Sequence, residues 1–234
     1  MSLAEKLQTI AENEQRVYDA GYEKGKAEGV IPMYHTSQVN FANTVFPENY
    51  ELYFRMKNAI NKNAIENLCI NTMNIKKITL QIDDGVAISL QNAFRNSTDL
   101  EVVDLTRLGR KITSFDWCML NSSKIKSVYG ALDFSECTSA TIWLNSATAL
   151  EDMEFVPNTI NISIDFYWCT KLSKASITSA INGLSDTTSN LAVSFSKFAV
   201  NKAFETTVGA NDGSSSSEWL ALIATKPNWT INLV

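Results

Sequence analysis

The sequence predicts an α/β solenoid with short parallel strands, preceded by an N-terminal coiled-coil helix. Three observations predict it: apolar offsets recur in phase through residues 65–177, apolar residues at heptad-like spacing run from Leu3 to Val17, and residues 178–234 alternate helical and strand patterns.

The first element is a helix over residues 3–24. Leu3, Leu7, Ile10 and Val17 fall at the spacing of a coiled-coil seam, interrupted by Glu14. Gly21, Gly25 and Gly29 follow at a spacing of four. Glycine costs about 1 kcal/mol in a helix interior, so the helix is expected to end near Gly25 to Gly29. A lone helix of this length is marginal in water. Self-association through those four apolar residues is the expectation, giving a homo-oligomer, a trimer, with 1–29 as the oligomerisation or attachment segment. Residues 30–60 have no clear period and contain Pro32 and Pro47. They are read as a linker and an irregular N-terminal cap whose aromatics Phe41, Phe46, Tyr50, Tyr53 and Phe54 cover the first repeat.

Residues 61–177 carry the repeat, plainest in "AFRNSTDLEVVDL", residues 93–105. Ile75, Leu100, Ile125, Leu150 and Leu172 are its anchors. Six residues earlier stand Cys69, Phe94, Met119, Leu144 and Phe166; ten earlier stand Ile65, Leu90, Phe115, Ala140 and Ile162. Three residues after each anchor come Ile78, Val103, Val128, Met153 and Ala175; five after come Leu80, Leu105, Gly130, Phe155 and Ile177, so only glycine breaks the last column. Three before each anchor the residue is small: Thr72, Ser97, Ser122, Ala147, Cys169. Such phase over five copies marks an internal repeat. Anchor, third and fifth positions match the short strand of a leucine-rich-repeat-like unit, L-x-x-L-x-L. One unit buries too little apolar surface to offset its own ordering. Stacking supplies the rest, so such units form arrays with capped ends.

Residues 178–234 are expected to continue and cap the solenoid. "SKASITSAINGLS" reads as a helix ending near Gly183, "NLAVSFS" as a strand, "KFAVNKAFE" as a second helix, "GANDGSSSS" as a loop, "SEWLALIATKP" as a serine-capped third helix and "WTINLV" as a closing strand.

"AFRNSTDLEVVDL" and "FYWCTKLSKASI" resemble the BspA-type leucine-rich repeat, A-F-x-x-C-x-x-L-x-x-V-x-L; Ala93 and Phe94 match its A-F, and Phe166, Cys169 and Leu172 its F-x-x-C-x-x-L. "LQTIAENEQRVYDAGYEKGKAEG" and "SSSEWLALIATKPNWTINLV" resemble the ends of proteins encoded beside tail genes in phages and prophages of gut Firmicutes. The resemblance implies a phage tail fibre or receptor-binding protein, made in the host cytoplasm and carried on the virion. Its partners would be itself, phage tail or baseplate proteins, and a host cell-surface protein or glycan. A structural baseplate component without its own receptor, or a bacterial BspA-like adhesion protein, is the alternative.

Composition narrows the field. A net charge of −5 without a long Lys or Arg run argues against a nucleic-acid partner. No apolar run reaches the ~18–20 residues that cross a bilayer, so no membrane insertion is expected. The four cysteines, at 69, 118, 137 and 169, have neither zinc nor disulfide-framework spacing and are read as buried thiols. No catalytic residue, metal or cofactor is expected: the one histidine, His35, lies in the linker, and nucleotide- and metal-binding motifs are absent. Asp83-Asp84-Gly85 reads as a tight turn. The candidate binding surface is the row of residues two and four past each anchor, which point out of the core: Lys77, Thr79, Asp104, Tyr129, Asp152 and Glu154 foremost. Trp117, Trp143 and Trp168, beside the pre-anchor segments, are added as aromatic platforms.

Overall fold

A computed structural model of the chain describes residues 30–32, 41–59, 61–109, 111–186, 190–206 and 216–234. The coiled-coil helix expected over 3–24, with Leu3, Leu7, Ile10 and Val17, and the linker His35 lie outside the described residues. What is described is a parallel β-solenoid. Its main sheet stacks six strands in the order β1 (Val30–Pro32), β2 (Val45–Ala59), β3 (Met73–Gly85), β5 (Val102–Leu108), β7 (Ser127–Leu132) and β8 (Asp152–Phe155), every neighbouring pair parallel. A second, two-stranded ladder joins β4 (Ile88–Ser89) to β6 (Ile112–Ser114) and extends to Ser139. A third sheet, of β9 (Ile164–Phe166), β10 (Leu191–Phe195) and β11 (Trp229–Leu233), closes the C-terminal end. Among the described residues, α-helix begins only at residue 174, so the solenoid before it is all-β and not α/β. Helices α1 (Lys174–Gly183), α2 (Lys197–Phe204) and α3 (Ser217–Ala224) belong to the cap.

All five anchors are buried. The amide after each of the last four donates to the equivalent carbonyl one coil earlier: Glu101 to Lys76 at 2.9 Å, Lys126 to Glu101 at 2.8 Å, Glu151 to Lys126 at 2.8 Å and Ser173 to Glu151 at 2.9 Å. The next inward column, Ile78, Val103, Val128 and Met153, pairs in register across β3, β5, β7 and β8. The repeat is thus one apolar spine shared by adjacent rungs.

The small residues before the anchors have a hydrogen-bonding reason. Ser97 Oγ lies 2.9 Å from Thr72 Oγ1 and donates to the Cys69 carbonyl at 2.5 Å; Ser122 Oγ donates to the Phe94 carbonyl at 2.6 Å and accepts the Ser97 amide at 3.1 Å. In these coils the buried hydroxyls add bonds to turn backbone between coils; Ala147 fills the same place in a later coil without one. The turns themselves need left-handed residues at two fixed places per coil: Asn67, Asn92, Trp117 and Ile142, then Asn71, Asn96, Asn121 and Ser146. Asparagine tolerates that conformation best among residues with a side chain. Its amides also join the coils, Asn121 donating to Asn96, Asn96 to Asn71 and Asn71 to Asn43 at 2.7–3.0 Å.

Four expectations are corrected. Residues 45–59, read as an irregular cap, form the 15-residue strand β2, burying Leu52, Phe54 and Met56 on alternate positions. Phe41, Phe46 and Tyr50 do pack on the core. Asp83-Asp84-Gly85 ends strand β3 and is not a tight turn; Gly85, at φ +116°, sits against Ala59. Gly130 is a bulge: Val128 pairs with Met153 but Leu132 with Phe155, so Leu132 fills the inward place that Gly130 leaves. The fifth unit does not supply a strand after Leu172. Ser173 caps α1 there, accepting the Ser176 amide, and the helix turns Ala175 outward while burying Ser176 and Ile177.

That helix ends the main sheet. Ser176 Oγ accepts the Met153 amide and Ser179 Oγ the Phe155 amide, both at 2.9 Å, so hydroxyls on one helix face pair the outer edge of β8. An open edge would invite another strand. Ser176→Ala leaves the Met153 amide buried without a partner, and a loss of about 1–3 kcal/mol is expected in urea unfolding. The cap is fastened by Lys226, whose buried ammonium donates to Asn158 Oδ1 at 2.6 Å and Asp186 Oδ1 at 3.1 Å, and by the Trp229 indole on the Ser185 carbonyl at 2.9 Å. The strands and helices read from residues 190–206 and 216–234 are present, with Ser216 capping α3.

Candidate functional site

The parallel register places two outward rows on the main sheet. Lys77, Val102, Ser127 and Asp152 align in one, Thr79, Asp104 and Tyr129 in the other. Glu154 does not continue the second row: the bulge at Gly130 sets it beside Ala131. The rows also differ along their length. Lys77 Nζ lies 3.6 Å from Asp104 Oδ2, and Asp104 accepts the Thr106 hydroxyl at 2.6 Å and its amide at 3.1 Å. Burial pushes the Asp104 carboxyl up, but the Thr106 and Lys77 interactions outweigh it and hold it below the usual range. Asp104 therefore braces a local kink in β5.

Toward β8 the face opens. Tyr129 is 47% exposed, and Asp152 and Glu154 are exposed. They rim a cleft of about 310 Å³ between the sheet and α1, floored by Val128, Gly130 and Met153 and walled by Ala175, Ser176 and Ser179. Among the described residues no cation pairs with Asp152 or Glu154; the nearest polar contact of Asp152 is Ser127 Oγ at 3.5 Å. Of the sequence-predicted residues, then, the fold brings Tyr129, Asp152 and Glu154 together around the cleft; Asp104, beside Tyr129 in its row, is taken up by Lys77 and Thr106, and Lys77 and Thr79 lie two strands from Tyr129.

The tryptophans separate. Trp143 is fully buried and is a core residue, correcting its place among the platforms. Trp117 (36% exposed, with the Arg95 guanidinium 5.9 Å from its ring) and Trp168 (39% exposed, its ring 4.8 Å from that of Tyr167) lie on turns and not on the sheet. A polar cluster that the repeat pattern missed occupies the other end of the face. The Tyr53 hydroxyl bonds the Gln81 side chain, Arg107 reaches the Tyr53 oxygen at 3.3 Å, and Arg55 pairs with Asp83 at 2.6 Å. It lies beyond the two outward positions assigned to each repeat, but the period-two alternation of "ELYFRM" could have placed Tyr53 and Arg55 outward.

Beside the face, Lys124 pairs with Asp99 at 2.9 Å, and Glu101 sits between Lys126 at 2.6 Å and Lys76 at 3.0 Å. The hydrogen bond from Lys124, then that from the Asn74 amide, holds the Asp99 carboxyl below its ordinary value; bonds from Lys126, then Lys76, do so for Glu101. Depressed carboxyls stabilise the fold fully above their unfolded pKa, about 4, and that contribution is lost as the pH falls through their folded values. Unfolding by urea is expected to need less denaturant at pH 3 than at pH 7, with Glu101→Gln reducing the difference. The effect is at most about 1 kcal/mol per exposed pair.

The four cysteines are buried free thiols. Burial pushes Cys137 up to about 11 and raises Cys69, Cys118 and Cys169 further, so none is a thiolate at neutral pH. Burial also raises the Asp165 carboxyl, against the bond it accepts from the Tyr167 amide. Among the described residues no group of three His, Cys, Asp or Glu side chains is placed to hold a metal, and no helix is long and apolar enough to cross a membrane. No protein-family profile, curated protein or solved structure matches the chain.

Proposed function

We propose that the chain is a non-enzymatic binding module: a BspA-like leucine-rich-repeat solenoid carried on a phage tail fibre or receptor-binding protein, with the outer face of its main sheet turned to a host surface. The observation that carries this reading is the contrast along that face. At one end Arg55 pairs with Asp83 and Lys77 with Asp104, whereas at the other Tyr129, Asp152 and Glu154 stand exposed around a cleft. A solenoid supplies what such a surface needs, a rigid array whose side chains are fixed by the rungs beneath. The N-terminal segment would gather three copies, multiplying a weak contact by effective concentration.

Purified full-length chain, labelled and applied to candidate Gram-positive gut bacteria, is expected to be retained on some strains and not on others. Retention on none favours the alternative, a structural tail or baseplate component. Light scattering of the full chain beside one starting near residue 30 is expected to give a trimer and a monomer; two monomers would remove the oligomer from the reading.

A further inference from the structure

We infer that the cleft between β8 and α1 receives a cationic side chain, a lysine or arginine of a protein partner. The inference rests on the reading of the outer face as a binding surface and names what its open end takes. Five carboxylates of the described solenoid are held by cations: Asp83 by Arg55, Asp99 by Lys124, Glu101 by Lys76 and Lys126, Asp104 by Lys77, Glu136 by Lys111. Asp116 and Asp133 are instead held by neighbouring amides and hydroxyls. Asp152 and Glu154 lack such a cation among the described residues, as do the exposed Glu48, Glu51 and Glu151, but Asp152 and Glu154 both line this cleft and are held there by no more than the 3.5 Å contact of Asp152 with Ser127. Lys174, which the repeat would place two past its anchor and next in the row after Asp152, is drawn away by α1 to Glu218 at 2.6 Å, with its ammonium 5.3 Å over the Phe204 ring. The helix that ends the sheet thus removes the cation that the row would otherwise supply.

The shape fits the same ligand. Alternate residues of a strand share a face and lie about 6–7 Å apart along it. One ammonium, with three donors, can bond carboxylates so placed. Tyr129 offers an exposed ring on which a cation can rest. Val128, Met153 and Ala175 give the lining an apolar part on which the methylene stem of lysine can lie, its charged head at the rim. The 310 Å³ volume is near the lower limit of ligand sites, about 300 Å³, which suits one side chain. A sugar amine is less well served, because Tyr129 is the cleft's one aromatic ring while Trp117 and Trp168 lie on turns. Strand addition is not the mode, since Ser176 and Ser179 already pair the β8 edge.

The test is calorimetric titration of the full chain with an acetylated tetralysine amide at low ionic strength, beside glucosamine and N-acetylglucosamine. Saturable binding of the peptide is expected, weakened at least about tenfold by Asp152→Asn with Glu154→Gln and about three- to fivefold by Tyr129→Ala. The exposed pair Glu48→Gln with Glu51→Gln removes the same net charge and is expected to change binding less than about twofold if the site, and not bulk charge, is responsible. All variants change exposed side chains, and unchanged circular dichroism confirms the fold. Absence of peptide binding, equal losses in both double variants, or binding of glucosamine in place of the peptide would overturn the inference. Retention on cells with no peptide binding would refute this ligand while leaving the proposed function standing; loss of retention alone would do the reverse.

Discussion

Trp143→Ala is expected to lower stability by about 3–5 kcal/mol, the cost of emptying a buried aromatic site. The indole is fully buried, with the rings of Phe115, Phe134, Phe155 and Phe166 at 5.3, 5.7, 6.4 and 5.5 Å between centroids, and its Nε1 donates to the Asp165 carbonyl at 2.9 Å. Those rings come from successive coils, so removing the indole loosens the joint between the first repeats and the cap. Domains are stable by only about 5–15 kcal/mol, and a loss of this size is visible in urea midpoint and near-ultraviolet circular dichroism. Trp143→Phe keeps a ring but leaves the Asp165 carbonyl without its donor, and about 1–2 kcal/mol is expected. A wild-type midpoint for the alanine variant would mean that this aromatic column does not hold the coils together.

Gly130→Ala is the second large effect, expected at about 3 kcal/mol or more. The residue has φ +99°, and an added Cβ would stand 2.8 Å from the Leu105 carbonyl carbon and the Thr106 nitrogen. Both are backbone atoms and cannot swing aside. The conformation costs a residue with a side chain about 1–2 kcal/mol, and overpacking adds about 1–3 kcal/mol. Gly109→Ala is the internal control: its Cβ would meet a single atom, the Ile82 oxygen, at 3.1 Å. Thermal unfolding of both variants decides the matter; equal melting temperatures would show that the bulge is not required. Because that bulge sets Leu132 inward and Glu154 beside Ala131, its loss is also expected to disorder the cleft rim.

The coils were legible because burial recurs at the same offsets in every copy, and the five anchors are buried as the periodicity requires. The seventh position before the first four anchors was a further signal that went unused, although before Leu172 it is the half-buried Asp165. Leu68, Ala93, Cys118 and Trp143 occupy it, all buried, and following that column would have placed Trp143 in the core. The helix at 174–183 was read from "SKASITSAINGLS" and is present, but the repeat claimed its first residues too: Leu172, Ala175 and Ile177 satisfy the strand pattern, while Ile177, Ala180 and Ile181 satisfy the helical one, and the Ser173 cap decides between them. The cleft was only half readable. Tyr129, Asp152 and Glu154 could be assigned outward, but their convergence depends on a bulge and a terminating helix, which offsets along the chain do not encode.

The asparagine and hydroxyl columns join the first coils to one another through bonds that recur at the same offsets, from Asn71 to Asn121 and from Thr72 to Ser122, so a coil of this stretch is a unit of length as well as of packing. Duplicating one 25-residue stretch would reproduce its own couplings on both sides and leave either terminus unaltered. The separation between the N-terminal segment and the acidic cleft would then grow in fixed increments of about 4.8 Å, one strand spacing per duplication. Such a molecule can extend its reach by unequal recombination without redesigning the tip.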